Sequence, residues 1–303
     1  MGIAALIAQG RGRVEEHAAF GARTTYRVGG SVAVLVTLAT MGDLEELGSL
    51  IWDCGLPVVV LGNGSNLLVA DGEHQIVGVH LSGDFASLSW TDQEGGVVVE
   101  AGAALDLPVA ARRLASEGIV GFEWAVGVPG TFGGAAVMNA GGHGSNMAAC
   151  VLEVATWRGG QARRWNLDEL HYGYRTSAVA SGELVTSVRM KLAHGDAAAA
   201  KDALSEIVRW RRAHQPGGAN AGSVFANPEH DSAGRLLEAA GCKGLRVGSA
   251  VVSEKHANFI LVDPGGSAND VYELLGLMSS RVMETSGVRL LSEHRLVGFA
   301  GQS

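Results

Sequence analysis

Apolar residues change period along this chain, and the changes predict its elements. After a short first helix, Ser31 to Leu38 is a valine-rich run with the composition of a strand. Thr40 then opens a segment to about Cys54 in which Leu44, Leu47, Leu50 and Ile51 recur at helical spacing, with Asp43 in the first turn where it complements the dipole. Val58 to Leu61 follows as a buried strand. Strand, helix and strand within about thirty residues predict a βαβ unit, paired in parallel through a right-handed crossover. Short β runs come next, at Ile76 to His80, Ala86 to Trp90 and Val97 to Ala101. Asp106 to Glu117 reads as an amphipathic helix with Leu107, Ala110, Ala111 and Leu114 inward. Strands are predicted at Cys150 to Trp157 and Leu184 to Leu192, and a long helix at Ala198 to Ala213 with Leu204, Ile207 and Val208 on one face. That helix ends at the break Gln215-Pro216-Gly217-Gly218. Helix Ser232 to Ala240, the stretch Ala250 to Leu261 and a last helix Asn269 to Thr285 complete an α/β chain. Breaks near Asp71 and ahead of the carboxyl-terminal third suggest a division into 1–70, 71–196 and 197–303.

Two stretches do not follow either period. Gly121 to Ser145 carries Gly127, Gly130, Gly133, Gly134, Gly141, Gly142 and Gly144, which point to unusual dihedrals or to a backbone that closely approaches something. Pro129-Gly130 reads as a turn, Thr131 as a helix cap, and Ala135 to Met138 as a short segment whose amino end could face a phosphate. A glycine-rich connection between buried strands is the other reading. The second stretch, Gly62-Asn63-Gly64-Ser65-Asn66-Leu67-Leu68-Val69, resembles the start of a dinucleotide fingerprint. It fails that test, because Leu67 stands where a third glycine would open a helix. A strand-to-strand loop that wraps a pyrophosphate with amides and with Ser65 and Asn66 remains open.

Composition narrows the class. An apolar fraction of 47% over 303 residues excludes disorder, and the 44 glycines sit in clusters without a collagen-like period. A net charge of −8 gives no nucleic-acid footprint and no polybasic membrane patch. Cys54, Cys150 and Cys242 lack metal or dithiol spacing and read as reduced and structural. Ile3 to Ala8 is too short and wrongly flanked for a signal peptide, and no apolar run reaches a membrane span, so the expected location is cytoplasmic.

Further chemistry-bearing residues lie downstream. Arg175, within Tyr172-Gly173-Tyr174-Arg175-Thr176-Ser177, reads either as a fork for a carboxylate or phosphate or as a surface arginine stacked on a tyrosine. Ser223 reads as a donor or a turn hydroxyl, His256 as functional or structural, and Glu293 as functional or as an ion-pair partner of Arg295.

Taken in order, these stretches resemble the UDP-N-acetylenolpyruvoylglucosamine reductase family, MurB, over nearly the whole chain. The resemblance rests on Thr25-x-x-Val28-Gly29-Gly30, Gly62-x-Gly64-Ser65-Asn66-Leu67-Leu68-Val69, Gly127-Val128-Pro129-Gly130-x-x-Gly133-Gly134-Ala135-x-x-Met138-Asn139-Ala140-Gly141, Tyr174-Arg175-x-Ser177, Gly222-Ser223-x-Phe225-x-Asn227-Pro228, Lys255-His256-Ala257-Asn258-Phe259 and Glu293-x-Arg295-x-x-Gly298. It implies an FAD-binding module of the vanillyl-alcohol-oxidase type in two subdomains, 1–70 and 71–196, followed by an α/β substrate domain, 197–303. The length is similar to that of the shorter family subtype.

The resemblance implies NADPH-dependent, FAD-mediated reduction of an enolpyruvyl sugar nucleotide, with FAD held non-covalently and no metal. Gly62, Asn63, Gly64, Ser65, Asn66, Leu67, Gly127, Val128, Pro129, Gly130, Gly133, Gly134, Asn139 and Gly141 match cofactor positions. Arg175, Glu293 and Ser223 match the catalytic arginine, glutamate and proton donor. A glutamate beside a carboxylate that gains charge must be protonated or share a proton, which implies a raised pKa. Tyr174, Asn227, Lys255 and Asn258 are expected on the substrate side. The chain is expected to act as a monomer on a small molecule, without nucleic-acid or membrane partners. Ala226 stands where the family usually has lysine, and Ser292 where proline commonly precedes the glutamate. A paralogue with another substrate and a nucleotide-binding relic are the competing functions.

Overall fold

Thr40 shows how directly local chemistry writes this fold. Its Oγ1 accepts the Asp43 N–H at 3.1 Å while the Asp43 carboxylate accepts the Thr40 N–H at 2.9 Å, a reciprocal capping box that starts helix Met41–Asp53. The helix buries Leu44, Leu47 and Ile51, and Gly48 faces Trp157 so closely that a Cβ would stand 2.1 Å from the indole.

The computed structural model describes residues 2–299. They form two compact units. The first comprises the described residues up to Glu16, Ala33–Gly62 and Gln75–Arg211; the second comprises His17–Val32, Asn63–His74 and the described residues from Arg212 onward.

A four-stranded sheet runs in the order Val14–Ala18, Ser31–Leu38, Glu73–Leu81, Val58–Leu61. The expected βαβ unit is therefore present as a sequence of elements but not as a directly paired couple. Val58–Leu61 pairs in parallel with Glu73–Leu81, which lies between it and Ser31–Leu38. Val77 and Val79 are fully buried, and burial fits Glu73–Leu81 to the interior place. An antiparallel sheet of the same unit runs Gln161–Asn166, Val151–Arg158, Leu184–His194, Gly96–Gly102, Leu88–Gln93, with Ile119–Val120 on the end of Leu184–His194. The sequence pattern passes over Gln161–Asn166 because only Trp165 of that edge strand is buried. Ala86 ends a 3-10 turn, Gly83–Ala86, rather than beginning a strand. Helix Leu107–Ser116 buries Leu107, Ala110, Ala111 and Leu114 as its spacing predicts.

The long helix Ala197–His214 sends Ala200 and Leu204 into the first core, so the unit boundary falls at its end, near the Gln215-Pro216-Gly217-Gly218 break, rather than at its start. In the second unit, helices Ala233–Ala239 and Ala268–Ser286 pack with the antiparallel strands Arg246–Val247, Ala250–Val252 and Ile260–Val262. Tyr26, Val28 and Leu68 belong to this core, and Leu67–Val69 pairs in parallel with Arg295–Val297. These pairings draw two early segments of the chain into the carboxyl-terminal unit. The three cysteines are free thiols, and burial pushes Cys150 up to about 12. Among the described residues, no helix is long and apolar enough to cross a membrane.

Candidate active site

The glycine-rich stretch of the first unit is held by its own neighbours. A Cβ on Gly62 would stand 2.6 Å from Thr131 Oγ1, one on Gly141 2.5 Å from the Ser145 carbonyl oxygen, and one on Gly127 3.0 Å from the His143 ring. Here the close approach inferred from the glycines is an approach of the protein to itself. Thr131 caps helix Phe132–Val137 as expected, and the amides of that turn are all engaged. Phe132 N–H donates to the Leu105 carbonyl, Gly133 N–H to Ala103, Ala135 N–H to Thr131, and Gly134 N–H to Thr131 Oγ1. The helix has six residues, and these bonds engage its amino-terminal donors within the protein. Gly130, at φ 138, supplies a turn conformation that other residues rarely adopt.

Tyr172 to Ser177 docks on this stretch. Asn139 Nδ2 donates to the Gly173 carbonyl at 3.0 Å, its Oδ1 accepts the Ala148 N–H at 3.0 Å, and Ser177 Oγ donates to the Val137 carbonyl at 2.8 Å. Asn139 thus fastens one loop to the other. Arg175 sits half-buried at φ 57, with Nη1 and Nη2 each 3.4 Å from the Gly141 carbonyl and its guanidinium 5.3 Å from the centre of the Tyr174 ring. The guanidinium therefore stacks on the tyrosine while its two terminal nitrogens converge on one carbonyl. Tyr174 itself is 59% exposed.

Among the described residues of this unit, the buried donors Trp124 Nε1, at the start of the glycine-rich stretch, and Tyr172 Oη, in the arginine loop, have no hydrogen-bond partner in the protein. Leaving such groups unpaired costs about 1–3 kcal/mol each. Flavin ring carbonyls and nitrogens are acceptors of the required kind, so the residues present fit FAD. His143, at φ 50, packs edge-on against Trp210, and burial with the nearby Arg211 lowers its pKa.

In the second unit, the motifs around residues 66, 223, 258 and 293 form one structure. Val224 N–H donates to the Asn258 carbonyl, and the Asn258 carboxamide bonds the Phe225 backbone twice, accepting its N–H at 3.0 Å and donating to its carbonyl at 2.9 Å. Asn258 is 3% exposed, and its carboxamide holds the Ser223 segment. An isolated antiparallel bridge joins Phe225 to Ser292, flanked by Glu293 N–H to the Val224 carbonyl at 3.0 Å and Ala226 N–H to the Leu291 carbonyl at 2.9 Å. Asn66 Nδ2 donates to the Glu293 carbonyl at 2.9 Å, and Arg295 N–H donates to the Asn66 carbonyl. The Asn66 side chain is therefore committed to the glutamate segment, and Leu67 is buried in a strand beside it.

Gly64 stands at φ 62, and a Cβ there would lie 2.6 Å from the Thr24 Cα. Asn227 Oδ1 accepts the Ala233 N–H at the start of helix Ala233–Ala239, and Lys255 Nζ donates to the Arg212 carbonyl. His256 accepts the Asn258 N–H, packs edge-on against Phe259 and has its pKa lowered by burial, which makes it structural. Ser292 Oγ accepts the His294 N–H at 3.1 Å, so the serine in place of proline stabilises the local turn.

One pair escaped sequence reasoning. Tyr26 Oη and His294 Nε2 lie 3.0 Å apart inside the second core, 268 residues apart in the chain. Only the Thr25-x-x-Val28-Gly29-Gly30 motif signalled that this early segment matters, and it said nothing of the partner.

Comparison with known proteins finds two family matches along the chain. Residues 214–297 match the carboxyl-terminal domain of UDP-N-acetylenolpyruvoylglucosamine reductase, MurB, and residues 32–161 match an FAD binding domain. A UDP-N-acetylenolpyruvoylglucosamine reductase 2 of Symbiobacterium thermophilum is 39% identical over 290 residues, covering 95% of this chain and 93% of that protein. The chain belongs to the MurB family.

A second MurB relative, from Synechococcus, is 41% identical over 283 residues, covering 91% of this chain and 90% of its own length. The crystal structure of MurB from Thermus caldophilus superposes with a TM-score of 0.80 at 35% identity, over 94% of this chain and 99% of that one. The MurB fold, an FAD-binding module with a carboxyl-terminal domain, is thus the fold of this chain. The MurB carboxyl-terminal match contains Ser223, Asn258 and Glu293, whose segments hydrogen bonds and an isolated bridge join in the second unit.

Proposed function

We propose that this chain reduces the enolpyruvyl ether of UDP-N-acetylglucosamine enolpyruvate to the lactyl ether of UDP-N-acetylmuramate, drawing reducing equivalents from NADPH. The observation that carries this reading is the pairing of the Ser223 and Glu293 segments through the Phe225–Ser292 bridge, on a chain of the MurB family. The reaction adds hydride to the terminal methylene carbon and a proton to the neighbouring carbon, so the double bond becomes CH–CH3. FAD, held at the glycine-rich stretch around Gly127 to Gly141, would supply the hydride transfer that links NADPH to the methylene carbon.

The chain's residues manage the charge and the proton. As the double bond opens, negative charge gathers on the carbon bearing the ether oxygen and spreads into the carboxylate. Arg175 binds that carboxylate with two parallel hydrogen bonds. Its present bonds to the Gly141 carbonyl, at 3.4 Å, are long for a charged donor, and a carboxylate displaces them readily. Ser223 donates the proton from Oγ. A serine hydroxyl is a weak acid, but the carbon it meets is a strong base, and position makes up for acidity. Glu293, in its protonated or proton-sharing form, stabilises the growing charge. Tyr174 and Lys255 serve the substrate side, while Asn227 and Asn258 support the segments that carry it. A monomer acting in the cytoplasm, where nucleotide sugars and NADPH are made, completes the reading.

Anaerobic absorbance of the purified protein tests it. NADPH should bleach the flavin bands, and the enolpyruvyl sugar nucleotide should restore them. Bleaching without recovery would mean a paralogue with another substrate. Absence of flavin bands after reconstitution with FAD would mean a nucleotide-binding relic.

A further inference from the structure

Glu293 is held by its backbone on one side and by its neighbour on the other. The backbone N–H donates to the Val224 carbonyl and the carbonyl accepts from Asn66 Nδ2 at 2.9 Å. The next residue, His294, turns into the second core, where its ring stacks on Tyr26 with centroids 5.5 Å apart and an interplanar angle of 28°. Tyr26 is 1% exposed and His294 7%, and the hydroxyl meets Nε2 at 3.0 Å. His294 Nδ1 is buried without a hydrogen-bond partner. Burial pushes this imidazole down to about 4, so the ring is neutral, while its neighbour Glu293 donates its backbone N–H to the Val224 carbonyl. Val224 follows Ser223.

Two polar rings in an apolar core carry a desolvation cost that an apolar pair would avoid. What a tyrosine–histidine bond adds is direction, because the donor and acceptor must stay in line. We infer that Tyr26 and His294 are positioning residues, which lock the Glu293 segment and, through Val224, the Ser223 segment in the arrangement that protonates the substrate. This rests on the proposed reductase reading, and it concerns only the half of the reaction that needs a proton.

Rapid mixing of Y26F, H294V and H294Q enzymes tests it, with the two half-reactions followed separately and folding checked by thermal unfolding. Reduction by NADPH should stay within about twofold of wild type in all three. Reoxidation by the enolpyruvyl sugar nucleotide should slow about tenfold in Y26F and H294V, the scale of one lost buried hydrogen bond. H294Q keeps a polar atom near the Nε2 position and should recover to within about threefold. The Y26F/H294V double variant should be no slower than the worse single variant, because both remove one bond. Reoxidation at the wild-type rate in folded Y26F and H294V, or equal slowing of both half-reactions, would overturn the inference while the reductase reading stands. A wild-type enzyme that the substrate does not reoxidise would overturn both.

Discussion

Arg175 holds both terminal nitrogens 3.4 Å from the Gly141 carbonyl while its own backbone stands at φ 57. A non-glycine residue in the left-handed region costs about 1–2 kcal/mol. The surrounding bonds of Asn139 to Gly173 and Ser177 to Val137 hold it there. Arg175→Lys keeps the charge and loses the planar fork, so reoxidation by the enolpyruvyl substrate should fall by about a hundredfold or more, with flavin reduction nearly unchanged. Stopped-flow absorbance gives both rates. Near-normal reoxidation would reduce Arg175 to a purely electrostatic role.

Ser223→Ala removes the proposed proton and nothing that NADPH oxidation requires. The bleaching phase should persist and the recovery phase should fall by about a hundredfold or more. The segment's own bonds come from Val224, Phe225 and Asn258, so the fold should tolerate the change. Equal loss in both phases would count against Ser223 as the donor.

The buried His294 makes stability depend on pH with a definite sign. Its pKa is lowered from 6.5 to about 4, chiefly by burial. Above 6.5 the imidazole is neutral whether folded or unfolded, and its contribution is fully present. As pH falls below 6.5, the unfolded chain takes a proton that the folded core refuses, so stability drops progressively until about pH 4. The full loss is about 3 kcal/mol, since each tenfold drop in proton affinity is worth about 1.4 kcal/mol. Urea unfolding of wild type and H294Q at about pH 7 and about pH 5 checks this. The wild type should lose more stability than the variant, and parallel losses would contradict it.

Asp71 caps a helix from a distance in the sequence. Its carboxylate accepts from Ser267 Oγ at 2.5 Å, Asn269 N–H at 3.2 Å and Ala268 N–H at 3.3 Å, at the start of helix Ala268–Ser286. Asp71→Ala should destabilise the protein by about 1 kcal/mol, and Asp71→Asn by less, since one acceptor oxygen remains. Thermal unfolding distinguishes the two. An unchanged midpoint in Asp71→Ala would show that Ser267 alone suffices.

Local signals carried much of the fold. Thr40 with Asp43 starts its helix where the spacing of Leu44, Leu47 and Ile51 says it should, and Ser31–Leu38 and Val58–Leu61 occupy their expected positions. Period and caps are properties of neighbouring residues, so they can be read in order. Gln161–Asn166 was silent because an edge strand with one buried side chain has no apolar alternation to show. The glycines were legible as points of close approach, but not what they approach.

The sequence by itself determined most element types and the family, and it singled out Arg175, Ser223 and Glu293 as candidates, because each depends on residue type and local spacing. Tertiary structure alone decided the insertion of Glu73–Leu81 beside Val58–Leu61, the diversion of Asn66 and Asn258 into holding the Glu293 and Ser223 segments, and the meeting of Tyr26 with His294. A hydrogen bond between residues 268 apart leaves no periodic trace in the chain, since what selects it is the shared core that buries both rings.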